Sequence, residues 1–513
     1  MKAPLATVLL AAASPIPAFG QYIQQELIPA PGTDVSRFGA ALSINANHIL
    51  VGSPGPNGDS AHLFDAATGA FIQQLLPGGP TENFGASVAL AGDVAIVADT
   101  VGSAPPLGGN VRGFDVVTGN LLWTIEGTRF LGALGRGLAA SANTVLVSDA
   151  GGFDDPLAHL LDAATGAILH TFVPPAGGSF GDSVALSQDW IAIADKDDSQ
   201  AGSSAGTVYV YDATTGSLVS QLLPTTPSPV EQFGSSIDLD GDLLVVGSPF
   251  HQLQGVAAGL APGRLSVYDL GTLSLLGEVV PAAPELQEWM GRSVRISDSF
   301  LVASSSSSNL APGNFGSQHI FDRTTLEPVG QVTRFAPLPS FQVYIVDAYG
   351  DRMVVGEPKN SSLEIGRVFV YSLGNDAPGQ SFCGPAVPNS TGLAANIQLS
   401  WGGDLTQGNY LYLLTENVPA QEFGYYLGSQ TPAFVPGAGG SQGNLCVGGA
   451  VRRLITGTVN LPAYLGTMPL ALNLSNVPGG PPASISAGDT WFFQLWYRDA
   501  GSSNFSEGWQ ITF

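Results

Sequence analysis

The sequence predicts an all-β chain: a seven-bladed β-propeller followed by a small β-sandwich-like C-terminal domain. Three observations lead there. A Phe-Gly motif followed by an alternating strand recurs along the chain at spacings of 46 to 57 residues. An Asp-containing turn follows each copy, so that every unit holds four strand-like runs, the content of one propeller blade. The composition suits short strands and tight turns: 66 Gly and 37 Pro among 513 residues, 44% hydrophobic and only 11% charged, less than half the usual charged share of about 25%.

The first 20 residues read as a secretory signal. Lys2 supplies the positive end, Ala3 to Ile16 is mostly apolar, and Ala18-Phe19-Gly20 offers the small residues of a cleavage site, so the mature chain is expected to begin at Gln21. The apolar stretch is short for a transmembrane helix, and no later segment is long enough. The expected location is secreted, at the cell surface or in the periplasm, with no transmembrane segment after cleavage.

Residues 21–374 carry the repeats. The motif reads Phe38-Gly39 to Ile44, Phe84-Gly85 to Leu90, Leu134-Gly135, Phe180-Gly181 to Leu186, Phe233-Gly234 to Leu239 and Met290-Gly291 to Ile296; the seventh copy, Phe341-Gln342 to Ile345, is degenerate. An apolar strand follows each, as in Ile49-Leu50-Val51-Gly52 and Met353-Val354-Val355-Gly356. The turn reads Phe64-Asp65 to Thr68-Gly69, then recurs at Asp115, Asp162, Asp212, Asp269 and Asp322, with Tyr371-Ser372 as the altered seventh. Asp can bond nearby backbone N–H groups and Gly accepts positive φ, which makes this a turn signal. The seventh unit lacks a fourth strand, whereas Tyr22 to Pro29 repeats the fourth strand of the first unit (Phe71 to Pro77) ahead of the first Phe-Gly. The N-terminal strand 22–29 is therefore expected to complete the last blade and close the ring.

Phe-Gly at the head, Val-Gly-Ser-Pro in the second strand (Val51 to Pro54, Val246 to Pro249) and Gly206 to Tyr211 together resemble FG-GAP repeats, which build the propeller of integrin alpha subunits. The resemblance covers about residues 22 to 372 and implies a calcium loop between the first two strands. Asp238, Asp240 and Asp242 occupy that place in the fifth unit. They offer three carboxylates where calcium takes six to eight oxygens, so solvated loop acids are the competing reading; Asp195, Asp197 and Asp198 form a second candidate. Leu121-Leu122-Trp123 after an Asp-Thr-Gly turn resembles pyrroloquinoline-quinone-type blades, but only one copy has the Trp, and no cofactor is inferred.

Residues 375–513 lose the repeat and alternate strands with Gly/Pro turns, as a β-sandwich does. The two cysteines, Cys383 and Cys446, fit one disulfide in an exported protein. Phe382-Cys-Gly, Gly440 to Cys446 and Trp491 to Asp499 resemble a C-terminal module of large secreted planctomycete proteins, which implies sorting or attachment to the envelope. Trp491, Phe493, Trp496, Tyr497 and Trp509 suggest either a carbohydrate platform or core, and their density favours core.

A net charge of -24 with 17 basic residues excludes a nucleic-acid partner, since that affinity comes from Lys and Arg on phosphates. No nucleophile elbow, zinc helix or phosphate loop occurs. His62, His159 and His319 share a place three residues before the turn Asp, which reads as a structural column. The expected function is non-catalytic binding or adhesion. Propeller loops such as Phe250 to Gly263 and Ser304 to Gly316 would meet an extracellular protein or glycan. The alternative is an exported polysaccharide lyase or hydrolase with acids in the funnel.

Overall fold

The computed structural model describes residues 8–9, 23–29, 37–55, 59–79, 82–101, 108–127, 134–149, 156–175, 178–252, 261–281, 289–305, 317–333, 345–358, 366–373, 380–404, 408–419, 422–454, 461–462, 468–486 and 488–513. Of the first 20 residues only Val8–Leu9 falls within these, as a parallel addition to the edge strand Ser274–Val279. The linker after residue 374, the acid pair Asp154-Asp155 and most of the Ser304 to Gly316 connection lie outside them.

The protein is all-β, with a single 3-10 turn at Ala438–Gly440 and no α-helix among the described residues. Seven sheets carry the repeats, each an antiparallel meander of four strands in sequence order, the last completed from the N-terminus. Blade 1, for example, runs Ala41–Ile44, His48–Ser53, Ser60–Asp65 and Phe71–Leu75. Blade 7 is ordered Ile23–Leu27, Arg367–Ser372, Arg352–Glu357, Ile345–Tyr349. The innermost strands are Ala41–Ile44, Glu82–Ala91, Leu134–Ser141, Phe180–Leu186, Ser236–Asp240, Ser293–Ile296 and Ile345–Tyr349. Each touches the next, and the seventh touches the first, so the ring is closed.

The Phe-Gly motif is the joint between blades. Gly85 has φ 92, a conformation that favours glycine, and a Cβ there would lie 2.5 Å from the Ser60 carbonyl oxygen of the preceding blade. Its backbone rests on Gly52 of the second strand of blade 1, and the same pairing recurs as Gly291 on Gly247 and Gly39 on Gly356. The small second-strand residues Ala98, Ser148 and Ala194 take the place of that glycine against Gly135, Gly181 and Gly234 in other joints. The two repeated glycines thus form one contact, through which blade backbones approach. Apolar residues fill the space beside it: Leu50, Leu63, Phe84, Val88, Val97 and Phe114 make one buried cluster between blades 1 and 2. Similar clusters lie between the following pairs through blade 6.

The Asp turns are built locally. Asp65 Oδ1 accepts the Thr68 N–H and the Thr68 hydroxyl, both at 2.7 Å. The Gly69 N–H closes onto the Asp65 carbonyl at 2.8 Å. The carboxylate–Thr pair recurs at Asp115, Asp162, Asp212 and Asp322.

The chain divides into two compact units, with Leu27–Phe369 forming the bulk of one and Val370–Phe513 the bulk of the other. In the second, the sheet containing Thr490–Asp499, Phe423–Ser429 and Trp509–Thr512 and the sheet of Asn396–Asp404, Gly408–Glu416 and Met468–Asn473 share one apolar core. Alternate residues of Thr490–Asp499 point into it: Trp491, Phe493, Leu495 and Tyr497. Cys383 and Cys446 are disulfide-bonded, with Cα atoms 6.0 Å apart.

Candidate functional site

All seven inner strands line an axial channel of about 240 Å³. One register position on each strand falls at the same level of the ring. Cross-strand partners fix it: Ser43 lies opposite Leu50, Ala89 opposite Ile96, Ala139 opposite Leu146 and Ala185 opposite Ala192. In blades 5 to 7 the corresponding pairs are Asp238 with Val245, Arg295 with Val302 and Asp347 with Val354. Blades 1 to 4 thus put Ser or Ala in this layer, and blades 5 to 7 put charge.

The polar members bond from each blade to the next. Asp238 Oδ2 accepts the Ile296 N–H at 2.7 Å. Arg295 Nε donates to Asp347 Oδ1 at 2.7 Å. Asp347 Oδ2 accepts the Ile44 N–H at 2.8 Å, and Ser43 Oγ accepts the Leu90 N–H at 3.0 Å. The chain of bonds runs one way round the axis from blade 5 to blade 2. Removal from water pushes the Asp238 carboxyl up to about 6, against the opposing pull of Arg295. Burial raises Asp347 as well, with Arg295 and the Ile44 N–H acting against it.

The three carboxylates of the candidate calcium hairpin diverge. Asp238 faces the channel layer, Asp240 pairs with Arg323 at 2.6 Å, and Asp242 accepts the Trp190 indole N–H at 2.7 Å. Around the second candidate, Lys196 sits between Asp197 and Asp182, 2.9 Å from the latter. Asp198 accepts the Thr207 hydroxyl at 2.9 Å. No group of three or more His, Cys, Asp or Glu among the described residues is arranged to hold a metal ion.

The histidine column stays on the third strands and does not line the channel. His62 lies edge-on to Phe38 at 5.3 Å and within 3.0 Å of Ser60 Oγ. Burial lowers its pKa to about 4, which keeps it neutral. Of the C-terminal aromatics, Trp491, Phe493, Tyr497 and Trp509 are core, while Trp496 stacks on Tyr425 at 4.7 Å.

The two faces of the propeller differ. On one, the first and second strands are joined by two or three residues and the third and fourth by four or five. On the other, the connections between second and third strands run from six residues in blade 1 (54–59) to fifteen in blade 5 (249–263).

Arg295 and Asp347 were not singled out by the sequence. Arg295 was visible in principle as the odd residue of the column Ser43, Ala89, Ala139, Ala185, Asp238. Asp347 was hidden, because it follows the degenerate Phe341-Gln342 at a different offset.

The closed ring of inner strands defines the class: a β-propeller protein. No protein-family profile matches the sequence. A search of the curated proteins finds no match. Among solved structures the chain is similar to BamB from Moraxella catarrhalis, with TM-score 0.36 and 16% identity over 65% of this chain and 83% of that one. It is similar to the β-propeller domain of Cps50 (Swd1) from Myceliophteria thermophila, with TM-score 0.45 and 13% identity over 69% of this chain and 100% of that one. The Pan2 WD40 domain of Neurospora crassa is another, with TM-score 0.44 and 15% identity over 69% of this chain and 95% of that one. No helix among the described residues is long and apolar enough to cross a membrane.

Proposed function

We propose that this is a secreted or cell-surface binding protein without catalytic activity, which presents the long connections of one propeller face to an extracellular protein or glycan. The observation that carries the reading is the asymmetry of the faces: minimal turns on one side of a closed ring, and connections of up to fifteen residues on the other. A ring jointed backbone to backbone at its glycines is a stiff frame for such loops. The alternative, a polysaccharide-active enzyme, needs available acid in the funnel, and there Asp238 and Asp347 each hold an N–H of the next blade. The blades are read as FG-GAP-type on their Phe-Gly joints, and the C-terminal domain as a module that sorts or attaches the protein to the envelope.

The test has two arms. N-terminal sequencing of protein exported from a bacterial host is expected to start at Gln21; a mature chain that keeps Met1 sinks the export reading. A panel of neutral and acidic polysaccharides is then scored for retention of the protein and for released sugar. Retention without new reducing ends or unsaturated products supports binding, and turnover of any polymer establishes the enzyme.

A further inference from the structure

At the junction of blades 5 and 6, on the long-connection face, Phe250, Trp289 and Arg292 form a half-buried cluster. Phe250 opens the longest connection, 249–263, and Trp289 and Arg292 flank the sixth joint, Met290-Gly291. The two rings meet edge to face with centroids 5.4 Å apart. The guanidinium carbon of Arg292 lies 5.7 Å from the Phe250 centroid and 5.2 Å from that of Trp289.

Two independent observations mark this cluster. The first is charge. In a chain of net charge -24, Arg112, Arg136, Arg264, Arg295 and Arg323 each lie within reach of a carboxylate. Arg292, like Arg452, Arg453 and Arg498 of the other unit, has none among the described residues, and its Nε, like that of Arg264, has no hydrogen-bond partner there. The second is backbone conformation. Trp289 has φ 51, and the same place before the joint is held by Asn83 at φ 67 and Gln232 at φ 55. Asn tolerates the left-handed region, whereas a bulky aromatic there is strained, as Leu273 at φ 53 and Leu326 at φ 60 also are. The base of the connection is also fixed: His251 and Arg264 both contact the buried Glu231, and Arg264 reaches Glu278 at 2.9 Å.

We propose that Phe250, Trp289 and Arg292 form a subsite for an acidic sugar, its C–H face against the aromatic pair and its carboxylate or sulfate on the guanidinium. Aromatic rings take the apolar face of a sugar, and the planar fork of Arg fits an oxyanion that it otherwise lacks. This inference rests on the glycan arm of the function proposed above.

The full mature chain is titrated with alginate oligomers, dextran sulfate and neutral dextran at about 0.15 M salt, where the net negative charge is screened beyond about 8 Å. Wild type is expected to bind at least one acidic polymer about ten-fold or more tighter than dextran, the equivalent of one charge-assisted contact. Preference for alginate identifies a carboxylate ligand, and preference for dextran sulfate identifies a sulfate ligand. Trp289→Asn and Arg292→Gln should each remove the preference. Trp289→Asn should melt at the wild-type temperature or above, because Asn suits this backbone and Asn83 already occupies the equivalent place in blade 2. Acidic-polymer binding that survives both substitutions overturns the subsite and leaves glycan binding elsewhere on the protein. Equal affinity for dextran overturns the acidic specificity. No binding to any polymer overturns both the subsite and the glycan reading.

Discussion

Blades 1 to 4 and blades 5 to 7 carry different chemistry at one ring position. Ser43, Ala89, Ala139 and Ala185 form the first arc, and Asp238, Arg295 and Asp347 the second, on strands of the same register. Both arcs sit behind the same joint. Gly85 packs on Gly52 in the small-residue arc much as Gly291 packs on Gly247 in the charged one. The joint and the interblade apolar clusters make the ring, while the residue at this register position differs between the arcs. Charge there is an addition to the scaffold.

The largest effect therefore belongs to the joint, in either arc. Gly85→Val meets positive φ and the Ser60 carbonyl oxygen, and Gly234→Val meets φ 91 with the Ala194 Cβ 2.8 Å from the new Cβ. Each is expected to lose roughly 3–5 kcal/mol, from left-handed strain and overpacking together. Calorimetry of the two variants should show similar losses. A mild loss in one arc alone would mean that the arcs do not share a joint.

The next effect is confined to the charged arc. Arg295→Met leaves Asp347 without its guanidinium and removes the positive charge beside Asp238. Breaking a buried pair costs about 3–5 kcal/mol, and the partial exposure of Arg295, 28% for its side chain, reduces the expectation to roughly 2 kcal/mol at pH 7.5. Chemical denaturation at pH 7.5 and pH 4.5 checks it. The deficit should shrink at the lower pH, where the carboxyls take up protons; a loss independent of pH would assign Arg295 to packing alone.

Much of this frame was legible in the sequence, because its signals are local. Phe-Gly needs a positive φ at one residue, and Asp65 with Thr68 and Gly69 closes a turn from its own atoms. Both recur wherever the backbone recurs. The axial cluster was only one-third legible. Asp238 was noticed for its neighbours Asp240 and Asp242, yet the charges that act on it are Arg295 and Asp347, on two other blades. Their convergence depends on register around the axis, and the degenerate seventh copy obscured it. Of the Phe250–Trp289–Arg292 cluster only Phe250 was noticed, as the head of a candidate contact loop, because the cluster is assembled by two connections that meet only after the ring closes.

Acid should act on the charged arc and on the Asp turns in opposite directions. Asp238 titrates near 6 in the folded chain, raised by burial, against an ordinary value of about 3.9 when unfolded. A raised carboxyl favours folding once protonated, so stability should grow as pH falls from 7 through 6 towards 4. The turn carboxylates act oppositely. Hydrogen bonds from their Thr partners lower Asp65, Asp115 and Asp162, and stability from them is present above about pH 4 and lost below it. The melting temperature should therefore peak at about pH 4–5. Asp238→Asn, which keeps an oxygen for the Ile296 N–H, should gain on the order of 1 kcal/mol at pH 7.5 and flatten the upper slope. An unchanged profile would show that Asp238 does not titrate in this range.

The smallest expected effect decides whether the charge holds the ring together. In the triple variant Asp238→Ser, Arg295→Ala, Asp347→Ser, the second arc takes the residue types of the first. Ser43 already shows that a hydroxyl can accept the N–H of the next blade, at 3.0 Å to Leu90. Replacing a whole buried ionic group is often close to neutral, because no partner is left uncompensated and the desolvation cost of each charge disappears. The triple variant should thus lie within about 1 kcal/mol of wild type, more stable than Arg295→Met alone, which strands two acids. That non-additivity is the signature of a cluster placed on a ring that stands without it. A triple variant that melts as low as Arg295→Met would instead show that the axial bonds from blade 5 round to blade 1 carry the closure themselves.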